Sequence, residues 1–420
     1  MVDVVIVGGG VGGSSLGAAL LEAGHEVLLL ERTTAFEDRV RGEWMAPWGV
    51  AEARRLGSFD ALVAAGGHTL THNAAYDEAR DPAEVEAEML PFRGLHPESD
   101  GPLCLEHVAM QNTLLDHAVA AGVDVRRGVS AVTVEADQTL EADQTLEADQ
   151  MPKVRFHHAG GSELVECRLV VGADGRASSV RRQVGIALHE DPVDHLIAGL
   201  LIEGAEGWPE WLQSTGKVGD INYLVFPQSG GKVRLYADYD IAQRGRFSGP
   251  RGAEEFLAAF DMACVPNSRA LAKGRPIGPC ASFPSQDAWT ERPFAPGVVL
   301  VGDAAGYNDP IIGQGLSITL RDVRIVRDLL ASGDAWAPAL FEPYAIERRE
   351  RLRRLRLAAR FVTHFFARFG EEAVERRLRA RARMDAQPHL AVFGLAAFAG
   401  PEVLPAELAN EAAVEGLFAP

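Results

Sequence analysis

An apolar strand that runs straight into a glycine turn constrains this chain more than any other feature. Val4-Val5-Ile6-Val7 reads as a buried parallel strand, and Gly8-Gly9-Gly10-Val11-Gly12-Gly13 carries the chain from that strand into a helix. Each glycine has a separate reason. Gly8 permits the tight turn, Gly10 lets backbone amides approach a pyrophosphate, and Gly13 lets the helix pack closely on the strand. The free N–H groups and positive dipole end of the helix then face phosphate. Val27 to Leu30 reads as the second strand and ends in Glu31, an acid placed to accept hydrogen bonds from an adenosine ribose. This unit specifies a dinucleotide and leaves open which one.

Two later stretches narrow the choice. Leu169-Val170-Val171-Gly172-Ala173-Asp174-Gly175 is a strand entering a carboxylate and a glycine. Val298-Val299-Leu300-Val301-Gly302-Asp303-Ala304-Ala305-Gly306 repeats the design, and Gly313-Gln314-Gly315-Leu316 then opens a helix running to about Leu330. The order of glycine fingerprint, Gly-Ala-Asp-Gly and Gly-Asp-Ala-Ala resembles the FAD-dependent aromatic hydroxylases of the para-hydroxybenzoate hydroxylase type over about residues 1 to 350. A plain NAD-binding domain would explain the first motif and leave the other two without a role.

The resemblance implies an α/β chain: a Rossmann-like (GR2-type) FAD-binding domain, an antiparallel-sheet substrate domain and a C-terminal helical segment. It implies that Glu31 and Arg32 flank the adenosine, that Asp303 holds the ribityl chain, and that Asp174 lies near the cofactor path. Arg39 and Arg41 look like an arginine pair near the pyrophosphate and the nicotinamide nucleotide, and Gln111 like a polar contact to the flavin chain. N–H groups at Gly313, Gly315 and Leu316 would face the flavin pyrimidine edge and stabilise negative charge there. Substrate would lie between Pro310 and a sheet roof, with Tyr223, Phe226 and Tyr236 as lining residues. A tyrosine among them could accept a phenolic proton, although all three are equally readable as core aromatics. The implied reaction uses NADH or NADPH and O2, passes through a flavin 4a-hydroperoxide, and hydroxylates or epoxidises an aromatic or polycyclic small molecule.

The segment Gly306-Tyr307-Asn308-Asp309-Pro310 departs from that pattern, which often has His and then Pro-Pro. Asp309-Pro310 and Arg41-Gly42-Glu43 also resemble flavin-dependent halogenases and geranylgeranyl reductases, so the subfamily stays open. Against halogenation, Trp208-Pro209-Glu210-Trp211 lacks the spacing of the halogenase tryptophan motif. The lysines, Lys153, Lys217, Lys232 and Lys273, all lie beyond the first 150 residues. Three readings therefore stand: an FAD hydroxylase, a reductase or halogenase of the same superfamily, and a non-catalytic flavin-binding protein.

The motifs divide the chain. Residues 1–75, 102–187 and 281–335 are expected to form the discontinuous FAD domain, 76–101 and 188–280 the substrate domain, and 336–420 a helical tail. The Glu-Ala-Asp-Gln-Thr-Leu repeat from Glu135 to Gln150 reads as a surface hairpin loop. Arg348 to Arg383 is densely basic and reads as the exposed faces of long helices, with Phe361, Val362, Phe365 and Phe366 turned inward.

A net charge of -18 argues against nucleic acid or an anionic membrane as partner. No stretch approaches 18 apolar residues, so no membrane span is expected. The four cysteines and 12 histidines show no metal-ligand spacing. The amino terminus reads as the first strand and not as a signal peptide. These features fit a cytoplasmic enzyme.

Overall fold

The computed structural model describes residues 2–40, 42–136, 150–333 and 335–420. Val2–Val7 forms the centre of a sheet ordered Phe294–Ala295, Val298–Leu300, Gly161–Gly172, Val2–Val7, Val27–Glu31, Asp124–Arg127. All neighbours from Val298–Leu300 to Asp124–Arg127 are parallel. Near-continuous apolar runs make such strands, because both faces are covered. Val4, Ile6, Leu29, Val171 and Val299 face the helices Val11–Glu22, His107–Ala121 and Gly315–Leu330, where they meet Leu16, Leu114 and Leu320. Val5, Leu28, Leu30 and Val170 face the other way onto Val134, Val154 and Phe156 of an antiparallel layer. That layer pairs Ser130–Glu135 with Lys153–His158, and Lys153–His158 with Gly161–Gly172. The repeat lies between its first two strands; residues 137–149 are outside the described residues, as is Arg41.

A second sheet runs Arg275–Pro276, His195–Glu203, Lys232–Asp240, Ile221–Gln228, Leu212–Val218, His72–Asp77, Leu90–Pro91, and Ala281–Ser285 also pairs with His195–Glu203. Ser229-Gly230-Gly231 makes the expected hairpin between Ile221–Gln228 and Lys232–Asp240. One pair, Leu212–Val218 with His72–Asp77, is parallel, so the sheet is mostly rather than wholly antiparallel. Residues 72–75 and 281–285, expected with the first unit, belong to strands of this second sheet. One face packs Tyr76, Leu200, Tyr223, Val225 and Tyr239 on Phe247, Phe256 and Phe260. The opposite face presents Ile197, Leu224, Phe226 and Tyr236 to Trp44, Ile311 and Ile312.

The tail is helical: Glu342–Phe366, Glu371–Ala386, Val392–Ala399 and Glu411–Phe418. Phe361 and Phe365 are buried as the periodicity requires. Arg348 and Arg351 overturn the expectation of a solvated basic face. Both are buried, because the first turns of Glu342–Phe366 pack on Asp322 of the helix Gly315–Leu330. Among the described residues, no helix is long and apolar enough to cross a membrane.

Candidate active site

The glycine fingerprint takes the geometry its sequence dictates. Gly8 has φ 108°, and a Cβ there would sit 2.4 Å from the Ala173 carbonyl oxygen. A Cβ on Gly13 would sit 1.8 Å from the Gly8 carbonyl oxygen. At Gly10 the nearest atom to an added Cβ is Gln111 Nε2, 3.8 Å away, and at Gly315 nothing lies within 4 Å. Gly8 and Gly13 thus close the strand–helix junction. Gly10 and Gly315 leave open space where two helices begin.

That space belongs to one cavity of about 1020 Å³. Gly10, Gln111, Gly302, Asp303, Gly313, Gly315, Leu316 and Pro310 all line it, although they come from distant parts of the chain. Phe226 and Tyr236 line it from the second sheet, and Phe398 from the tail. Asp303 is held by Arg176, whose Nε lies 3.3 Å from Asp303 Oδ2.

Tyr223, Glu31, Asp174, Arg32 and Arg39 are not part of that lining, although Asp174 lies between Ala173 and Gly175, which are. Tyr223 does not line the cavity. It faces the opposite side of the sheet, fully buried, with its hydroxyl 3.1 Å from Ser214 Oγ. Strand alternation is the reason: Leu224 opposes Tyr236 in the ladder, so Tyr223 and Tyr236 point to opposite faces. Glu31 is buried behind the glycine turn. It accepts from Gly9 N at 2.6 Å, Thr33 N at 2.7 Å and Thr33 Oγ1 at 2.8 Å. Asp174 caps the short helix Ser179–Gln183, accepting from Ser179 N at 2.6 Å and Ser179 Oγ at 2.9 Å. Arg32 and Arg39 are exposed.

Sequence reasoning missed the residues that hold these loops. Arg348 donates from Nε to Asp322 Oδ2 at 3.0 Å, from Nη1 to Ala305 O at 2.8 Å, and from Nη2 to Gly306 O at 2.8 Å and Gly302 O at 3.2 Å. Asp322 Oδ2 also accepts from Gly302 N at 2.9 Å, and its Oδ1 accepts from Arg351 Nη2 at 2.7 Å. One guanidinium and one carboxylate therefore pin both sides of the loop carrying Asp303. Gln314 acts similarly for the next loop. It accepts from Trp48 Nε1 at 2.8 Å and donates to Ala397 O at 2.8 Å.

A buried charged cluster supports Pro310. His195 Nδ1 lies 2.5 Å from Asp194 Oδ1 and Nε2 lies 3.4 Å from Asp309 Oδ1. Burial alone would lower the imidazole pKa, but Asp194 and Asp309, with the charge of Asp238, raise it to about 10. Asp238 is pushed up to about 7 by burial, against the opposing pull of His195. Asp287, which accepts from Asp309 N at 2.9 Å, is likewise pushed up to about 7, by burial and then by Asp309. His195 gains its proton affinity on folding. Its stabilising contribution is therefore fully present below pH 6.5 and lost as pH rises through about 10. Denaturant titrations of His195→Gln across that window should show a stability deficit that closes at the alkaline end. A constant deficit would mean that His195 only packs.

FAD fits this site on three observations: the space that a Cβ at Gly10 or Gly315 would fill, a helix N-terminus opening on the cavity, and a carboxylate at Asp303 beside it. The family model described as the FAD binding domain matches residues 1–358. The chain belongs to this FAD-binding family. Among curated proteins, squalene monooxygenase of Mus musculus is 25% identical over 352 residues, covering 82% of this chain and 56% of the relative. Rifampicin monooxygenase of Streptomyces venezuelae is 27% identical over 366 residues, covering 83% of this chain and 68% of the relative. This FAD-binding chain thus spans only about half the length of the squalene enzyme. Among solved structures, PqsL, a probable FAD-dependent monooxygenase from Pseudomonas aeruginosa, aligns with a TM-score of 0.71 at 20% identity, covering 87% of this chain and 96% of that one.

Proposed function

We propose that this chain is an FAD-dependent monooxygenase that takes electrons from NADH or NADPH and adds one oxygen atom from O2 to an aromatic or polycyclic small molecule. One observation carries the reading: a single cavity joins the flavin-type motifs to a chamber of aromatic side chains. Bound FAD would supply the electron transfer and oxygen activation, which no protein side chain provides. Gly10, Gln111, Asp303, Gly315 and Leu316 would hold it, and the dipole of Gly315–Leu330 favours negative charge at the helix start. The chain's own part is binding, orientation and exclusion of water.

Tyr236 contributes differently from a phenolate base. Its hydroxyl donates to Glu43, and burial, then the Glu43 charge, hold its pKa well above the usual range. It keeps its proton, and its oxygen is available to a substrate hydroxyl as an acceptor. Glu43 is in turn fixed by Arg234 Nη2 at 2.8 Å, which also reaches Asp38 at 2.8 Å.

Hydroxylation is favoured over halogenation because none of the four lysines lines the cavity. Lys217 is buried near Glu78 and Lys232 pairs with Glu106. The test is turnover of a substrate panel with NAD(P)H under labelled dioxygen. One labelled oxygen in the product, with no effect of chloride or bromide, is the expected result. Halogenated or hydrogenated product would move the chain to the alternative chemistry, and flavin never reduced by NADH or NADPH would favour a binding role.

A further inference from the structure

The cavity continues past the flavin motifs into the helical tail. Phe361, Phe365, Phe366, Met384, Leu395 and Phe398 form its far wall. Two contacts fix that wall. Arg381 Nη2 donates to Asp77 Oδ2 at 2.5 Å and ties the helix Glu371–Ala386 to the second sheet. Gln314 Nε2 donates to Ala397 O at 2.8 Å and ties Val392–Ala399 to the loop before Gly315. Phe398 stands 6.4 Å from Trp44, ring centroid to centroid, so the wall is continuous with the aromatic residues near Gly313. Ala391 and His389 are exposed at its rim.

Charge is arranged as selectively as shape. Among the described residues lining the cavity, the formal charges are Glu43, Arg176 and Asp303. Arg176 and Asp303 neutralise each other, and Glu43 is bound by Arg234 and Tyr236. The remaining polar lining is amide, hydroxyl and imidazole, as at Asn73, Gln213, Thr215, Asn222, His107 and the rim residue His389. An anionic group carried in past the exposed imidazole of His389 would meet no arginine or lysine on the far wall, and burying an unpaired charge is prohibitive beside burying a ring. On the flavin reading FAD shares the cavity, so the space for substrate is the chamber walled by Phe361, Phe365, Phe366 and Phe398, whose rings offer stacking area for more than one ring.

We infer that the tail wall, centred on Leu395, Phe398 and Phe366, is a specificity subsite that accepts an uncharged, apolar, multi-ring portion of the substrate and rejects carboxylated or phosphorylated analogues. The inference rests on the flavin reading above, and the experiment separates the two. The full chain is loaded with FAD and titrated with phenol and with the methanol and carboxylate derivatives of anthraquinone, following the flavin absorption band. The neutral anthraquinone is expected to bind, with the carboxylate about a hundredfold weaker. Leu395→Trp narrows the chamber from a partly exposed position on the helix Val392–Ala399. It should weaken the neutral anthraquinone about tenfold while FAD content and phenol affinity stay unchanged. Equal binding of the carboxylate, no binding of either anthraquinone, or an unaffected Leu395→Trp would overturn the subsite. Failure to take up FAD at all would instead overturn the reading beneath it.

Discussion

Arg348→Met is expected to lower folding stability by about 2–4 kcal/mol, through the loss of a donor to buried carbonyl oxygens at about 1–3 kcal/mol each, and to strip the protein of FAD. The side chain is 2% exposed and serves one carboxylate and three carbonyl oxygens. Methionine fills the volume and satisfies none of them. Asp322 would keep Arg351, so the charge is not left alone, but the carbonyls of Gly302 and Gly306 would lose the guanidinium donor and Ala305 O would keep only the Thr290 hydroxyl. Because these carbonyls belong to the loop that presents Asp303, flavin affinity should fall together with the unfolding midpoint. Arg348→Lys should rescue little, since a single ammonium cannot reproduce the planar fork. Thermal unfolding with flavin content measured on the same samples decides it. A variant with wild-type midpoint and full FAD would show that the loop holds itself.

Why Arg348 was hidden in the sequence is instructive. Arginine spaced along a long helix is read as a solvated face, and for Arg349 that reading is right. What buries Arg348 and Arg351 is a partner on another helix, Asp322, and nothing in local periodicity announces a contact 26 residues away. The glycine fingerprint was legible for the opposite reason. Its geometry is largely local: the positive φ at Gly8 and the contact of Gly13 with the Gly8 carbonyl belong to one strand–turn–helix, and only the Ala173 carbonyl beside Gly8 comes from a distant strand. The helix starting at Gly315 and the hairpin at Ser229–Gly231 were legible on the same ground.

Tyr223 lies between these cases. Its residue type fitted a substrate wall, but side chains alternate along a strand, and the hairpin register pairs Leu224 with Tyr236. A register read from the Ser229–Gly231 turn would have placed Tyr223 on the core face. Glu31 and Asp174 carry structural hydrogen bonds that the motif does not announce. Both acids stand at the ends of strands as the motif requires; Glu31 accepts from backbone N–H groups of Gly9 and Thr33, and Asp174 Oδ2 from those of Ser179 and Val180, while Asp174 Oδ1 is buried with no hydrogen-bond partner among the described residues. The tail's place in the cavity was invisible altogether, because it depends on how Glu371–Ala386 docks against His72–Asp77.

The fingerprint glycines yield the sharpest contrast. Gly13→Ala should be crippling, because its Cβ would lie 1.8 Å from a backbone oxygen that cannot rotate away. Either the helix Val11–Glu22 shifts off the strand or the turn at Gly8 opens, and each disrupts the buried contacts of Leu16 and Leu20. Overpacking a well-filled interior costs typically about 1–3 kcal/mol, and a clash with rigid backbone belongs at or above the upper end. Gly315→Ala should behave in the reverse way. Nothing lies within 4 Å of the added methyl, and alanine is the better helix former, so the apoprotein should be as stable as before or slightly more so. The methyl would nevertheless occupy the space where the helix N-terminus meets the cavity, and FAD affinity should fall about tenfold or more. Measuring the unfolding midpoint of each apoprotein and its affinity for FAD separates the two roles. A Gly315→Ala protein that binds FAD as tightly as the unmodified chain would remove this helix end from the flavin site.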